Sequence, residues 1–194
     1  MSYELIKSAL IESANIKRTI SEELCHEIEC GIKMISNALK RGKKILLMGN
    51  GGSAADAQHL AGELIGRFKA ERKAIPAIAL TTDTSIITAV GNDYGFDTIF
   101  ERQIDALTCK GDVVIGISTS GRSPNIIKGL RLAKELGAKT IALLGNDGGG
   151  VKEMVDLAIV IPSYNTPRIQ EAHITIGHII CEEVEKEFLL YQKI

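Results

Sequence analysis

Residues 44–64 read KILLMGNGGSAADAQHLAGEL, and their pattern decides the fold. The run 44–48 is nearly all apolar, which suits a strand covered on both faces, as in a parallel sheet. Gly49-Asn50-Gly51-Gly52-Ser53 then turns the chain, and Ser53 reads as the cap of a helix over about 53–67. Working outward, further short apolar runs occur at 76–81, 112–118, 139–144 and 157–162. Helical stretches separate them, at about 84–91 with 97–108, 124–136, a short one near 150–155, and a last one from about 167 to 191. Such alternation predicts an α/β fold, a doubly wound five-stranded parallel sheet with right-handed crossovers. Upstream, 3–40 reads as helix, with a break predicted near Ser21, where Ser21-Glu22-Glu23 looks like an N-cap with acidic first-turn residues, and a stop at Gly42. The expectation is one domain over 1–194, with 1–41 as an N-terminal helical extension that packs on the domain.

Charge and composition narrow the function. The 194 residues carry 23 basic and 24 acidic side chains, so the chain lacks the basic excess of a nucleic-acid groove. The four cysteines, Cys25, Cys30, Cys109 and Cys181, form no C-x-x-C pair and read as reduced thiols of a cytoplasmic protein. No signal peptide is expected, and no apolar run approaches the ~20 residues of a membrane span.

Two loops follow strands and precede helices, so both fall on the edge of the sheet where ligands bind. Glycines at 49, 51 and 52 allow close approach of backbone to ligand, and the helix start offers free N–H groups to a phosphate. Ser118-Thr119-Ser120-Gly121-Arg122-Ser123 presents four hydroxyls in six residues, with Pro124 at the first helical position. Either loop alone is only a cap and a turn; two on one edge favour a phosphate. The first also matches G-x-G-x-x-A, so a dinucleotide enzyme using Asp83 is a rival, although such a site has no use for the serine loop.

His59 and Glu63 stand one turn apart on one face, a pairing that reads either as half of a zinc site or as surface or interface polar residues. Gln170 and His178 lie eight residues apart on the last helix, about 12 Å in rise, so one metal meets both only if the side chains reach toward it from above and below; otherwise they belong to different sites or different subunits. Asn92 and Asp93 read as a polar turn after the helix that follows strand two, with Asp93 either binding a hydroxyl or capping a helix near Asp97. Arg168 reads as a phosphate or surface residue, and Glu171 and His173 as ion-pair or packing residues.

GNGGSAADAQHLAGEL (49–64), AVGNDYGF (89–96), GISTSGRSPN (116–125) and RIQEAHITIGH (168–178) together resemble the phosphoheptose isomerases of the sugar isomerase (SIS) domain superfamily. The resemblance implies a flavodoxin-like SIS fold and a homotetramer with active sites at subunit interfaces. It implies conversion of sedoheptulose 7-phosphate to D-glycero-D-manno-heptose 7-phosphate, the first step toward nucleotide-activated heptose. It places Ser53, Ser118, Thr119, Ser120 and Ser123 on the phosphate. It places Asn50, Gly51, Gly52, Glu63, Asn92, Asp93 and Gln170 on the substrate. His59, Glu63, Gln170 and His178 would hold one zinc ion per subunit, and Glu63 with His178 would be the acid–base pair. Where some members carry Asp, this chain has Pro167. The alternatives are an isomerase of another ketose phosphate and a non-enzymatic relative that binds the bacterial replication initiator. That relative lacks the Glu and the second His.

Overall fold

The computed structural model describes residues 2–192. Helices α1 (Ser2–Glu23) and α2 (Cys25–Lys40) precede β1 (Ile45–Gly49) and α3 (Gly52–Ile65). There follow β2 (Ala77–Ala79), α4 (Thr84–Tyr94), α5 (Ile99–Leu107), β3 (Val113–Ser118) and α6 (Pro124–Glu135). The chain ends with β4 (Lys139–Leu144), β5 (Leu157–Val160) and α7 (Thr166–Gln192). All pairings are parallel, in the order β2-β1-β3-β4-β5. This is the doubly wound α/β architecture with its N-terminal helices, as expected. Strand order reverses between β1 and β3, and such a switch point is where α/β sheets bind ligands.

The apolar runs are continuous because successive residues serve opposite cores. Ile45 and Leu47 of β1 join a core with α2, α3 and α7, while Leu46 and Met48 join one with α5 and α6. In β4, Ile141 and Leu143 take the first side, and Ala142 and Leu144 the second. No helix among the described residues is long and apolar enough to cross a membrane.

Local details depart from expectation. The N-terminal helix breaks at Leu24 (φ −117°, ψ 4°) rather than at Ser21. Ser21 is no cap: its hydroxyl donates to Arg18 O at 2.6 Å, inside α1. Ser53 is no cap either, because α3 already starts at Gly52 with Gly51 at the cap position, and Ser53 is buried in the first turn. The short helix near 150–155 is a single 3₁₀ turn over Gly149–Val151. Asn92 and Asp93 lie in the last turn of α4 rather than after it, and Asn92 Nδ2 donates to Asp93 Oδ1 at 2.8 Å, so Asp93 caps nothing near Asp97.

Candidate functional site

Both loops leave the switch point side by side, since Gly49 pairs with Ile117 across β1 and β3. A reciprocal amide pair ties them: Asn50 Nδ2 donates to Asn125 Oδ1 and Asn125 Nδ2 to Asn50 Oδ1, both at 2.9 Å. Asn125 Oδ1 also accepts from Ile126 N at 2.9 Å, in the first turn of α6. The sequence pattern alone assigns no role to Asn125. Its signal was an amide directly behind Ser123-Pro124, at a helix start facing the other loop.

The serine loop is internally braced. Ser118 Oγ accepts from Gly121 N at 3.1 Å and lies 3.5 Å from Ser123 Oγ, while Ser120 Oγ accepts from Arg122 N at 3.2 Å. Gly121 has φ +61°, and a Cβ there would sit 2.0 Å from Gly148 O. Only glycine therefore lets this loop press against the turn at 148–149. Arg122 donates to Asp147 Oδ2 at 2.6 Å across that seam.

α3 and α7 run side by side in the same direction. A Cβ on Gly52 would meet the Gln170 carboxamide at 2.6 Å, and one on Gly177 would meet Leu60 Cδ2 at 2.6 Å. In this register His59 Nε2 lies 2.9 Å from His178 Nε2 and 3.2 Å from Glu63 Oε1. The ligand atoms of His59, Glu63 and His178 all lie within 4.8 Å of one another. Two donors on one zinc ion are at most about 4.2 Å apart, and His₂Glu is an established zinc set. The residues thus fit a metal ion with slight closure. Gln170 sits at the Gly52 end of the helix pair, about 12 Å of rise from His178.

A second cluster supports the first. The Glu185 carboxylate, 2% exposed, accepts from Phe68 N (2.9 Å), Lys69 N (2.8 Å), Ala70 N (2.9 Å) and Arg72 Nε (2.9 Å). Burial pushes its pKa up, but these N–H donors and the Arg72 charge outweigh burial and leave it below the usual carboxylate range. Arg72 also donates to the carbonyls of Glu63 (2.9 Å) and Leu64 (2.8 Å) at the end of α3. The Phe68 ring stacks on the His178 ring, centroids 5.6 Å apart at 29°. None of Phe68, Arg72 and Glu185 stood out in the sequence, because they meet only in the tertiary structure.

Other candidates have local duties. Asp83, the acid a dinucleotide site would need, caps α4 by accepting from Ile86 N at 2.9 Å. Arg168 donates to Ala9 O at 3.0 Å and pairs with Glu171, pinning α1 to α7. His173 is wholly buried, its Nε2 2.9 Å from Leu144 O.

The fold and this site define a sugar isomerase domain: a model described as SIS domain matches residues 10–145. The chain is 58% identical over 183 residues to the phosphoheptose isomerase of Geotalea daltonii, covering 94% of this chain and 95% of that protein. It is 57% identical to that of Aquifex aeolicus, over 94% of this chain and 96% of the other. Phosphoheptose isomerase GmhA from Neisseria gonorrhoeae superposes with a TM-score of 0.91 at 41% identity, over 96% of this chain and 100% of the other. The Francisella tularensis enzyme gives 0.93 at 39%, over 96% and 99%. The chain belongs to the phosphoheptose isomerase family of SIS-domain proteins.

Proposed function

We propose that this protein isomerises sedoheptulose 7-phosphate to D-glycero-D-manno-heptose 7-phosphate by proton transfer through an enediol. The observation that carries the reading is the meeting of Glu63 with His59 and His178 on two parallel helices, in a chain of this family. A base removes a proton from C1 and the C2 carbonyl oxygen gains one, giving the enediol. Return of a proton to C2 with loss of the O1 proton gives the aldehyde. Glu63 is the base at carbon and His178 serves the oxygens, each worth about 10²–10⁴-fold in rate. Ser53, Ser118, Thr119, Ser120 and Ser123 hold the phosphate through their hydroxyls at the starts of α3 and α6, where the helix dipoles favour an anion. Asn50, Gly51, Gly52, Asn92, Asp93 and Gln170 contact the sugar.

His59, Glu63 and His178 would hold the zinc ion, with Gln170, at the other end of this helix pair, as a further donor from a neighbouring subunit. When bound, zinc supplies polarisation of the carbonyl oxygen. The protein works as a homotetramer, a reading supported by the uncovered apolar side chains of α1: Tyr3, Leu5, Ile6, Leu10 and Ile11 are 50–70% exposed.

NMR of sedoheptulose 7-phosphate incubated with the protein, with and without chelator, tests the reaction. Glu63→Gln is expected to reduce turnover by at least about 10²-fold while sugar phosphate still binds. Wild-type turnover by that variant refutes the role of Glu63.

A further inference from the structure

We propose that Phe68, held by the Arg72–Glu185 pair, is a positioning residue that sets the plane of the His178 imidazole beside Glu63. This rests on the proton-transfer reading above.

The segment after α3 lacks regular structure from Arg67 to Pro76, yet its first part is anchored more tightly than a surface connection requires. Three successive backbone N–H groups, of Phe68, Lys69 and Ala70, converge on the single Glu185 carboxylate. Arg72, its side chain wholly buried, completes the shell through Nε and spends its other nitrogens on the carbonyls that end α3. Burying a charged pair is costly unless every donor and acceptor is matched. Ending a helix needs far less, since a glycine or a single basic side chain satisfies the last carbonyls. What the buried pair adds is placement: it fixes the backbone of Phe68 relative to both α3 and α7.

Phe68 uses that placement on His178. Among the described residues, the hydrogen-bond partner of the His178 ring is His59, through Nε2. No hydrogen bond to its Nδ1 is found among those residues. A ligating or proton-transferring histidine is ordinarily oriented by such a second bond. The χ2 torsion of histidine is broad, so a hydrogen bond at Nε2 alone leaves the ring free to swing. The stacked phenyl ring on one face and the edge-on His59 ring, at 62° with centroids 5.1 Å apart, supply the missing constraint.

The test compares Phe68→Tyr, Phe68→Leu and Phe68→Ala. Phe68 is only half-buried, so all three are expected to fold. Leu keeps bulk without a flat face and Tyr keeps the face. Orientation therefore predicts that kcat falls roughly tenfold or more in Leu and Ala, with KM for the sugar phosphate within about twofold, and that Tyr rescues. Rescue by Leu together with Tyr, or unchanged kcat in Leu and Ala, overturns the inference. The second readout needs neither metal nor turnover: the His178 ring signals in metal-free protein, assigned with His178→Gln. A single sharp set in the wild type and Tyr variant, but exchange-broadened or doubled signals in Leu and Ala beyond the uniform ring-current shift, supports the role. A single sharp set in all four overturns it. Should the wild type fail to isomerise sedoheptulose 7-phosphate, the functional reading falls, and the ring signals still decide the role of Phe68.

Discussion

His173 shows what a residue's surroundings do to its chemistry. The sequence placed it as a packing residue beside Gln170, and it is one, with its ring wholly buried. Burial lowers its pKa from 6.5 to about 4, although its bond to Leu144 O opposes that. With Nε2–H donating to the carbonyl, Nδ1 stays unprotonated, and it has no partner among the described residues. The unfolded chain binds a proton near pH 6.5 and the folded one only near 4. Its stabilising effect is therefore complete above pH 6.5, declines by up to about 1.4 kcal/mol per pH unit on acidification, and is gone below about 4. Urea titrations of metal-free protein at pH 7, 6 and 5 are expected to show the midpoint falling, and His173→Asn to flatten that fall between pH 6.5 and 5. Cys181 behaves alike: chiefly through burial, with the Glu63 charge adding to it, its thiol is pushed up to about 12. A thiol reagent at pH 8 is expected to modify exposed Cys25 and Cys109 quickly and Cys181 only in denaturant.

At the scale of elements, the contact between α3 and α7 matters most. The sequence revealed both helices, and the i, i+4 spacing put His59 and Glu63 on one face. That His178, more than a hundred residues later, closes on them came only from the resemblance and not from the local pattern, because helix register is set by packing. Gly177 is the residue that permits it. A Cβ there would meet Leu60 Cδ2 at 2.6 Å and Cδ1 at 2.8 Å, forcing the helices apart or Leu60 aside. Gly177→Ala is expected to cost about 1–3 kcal/mol. Its kcat should fall further than that of Leu130→Ala, a cavity of similar or greater cost in the opposite core. Thermal melts and turnover at 25 °C, measured side by side, separate the two; equal kcat in both variants means that the register of α3 on α7 does not govern the site. The caps were misread for a related reason. Ser53 and Ser21 are good cap residues by type, but Gly51 already occupies the cap of α3, and Ser21 bonds back into its own helix.

At the scale of the whole molecule, the doubly wound parallel sheet was legible, because five apolar runs alternate with helices, while the strand order came from the structure. The order β2-β1-β3-β4-β5 then places both loops at one crevice without further assumption. The proposed assembly comes only from the resemblance; the structure adds that the apolar side of α1 is uncovered in the single chain. A homotetramer is expected to have a mass near four chains of 20.9 kDa by light scattering. Within such an assembly the question is which groups must share a chain. His59, Glu63 and His178 converge within one chain here. A hybrid of Glu63→Gln and His178→Gln subunits then holds no chain with both groups intact, so co-expressed, doubly tagged hybrids are expected to stay as inactive as either parent. Recovery of a quarter to a half of wild-type turnover would mean that His178 acts with Glu63 of another subunit, and the one-chain geometry would then describe the metal site but not the proton transfer. A hybrid of Glu63→Gln with Ser120→Ala asks the same of the serine loop proposed to hold the phosphate. Recovery there, with none in the first hybrid, would assign the phosphate end and the reacting end of one active site to different chains.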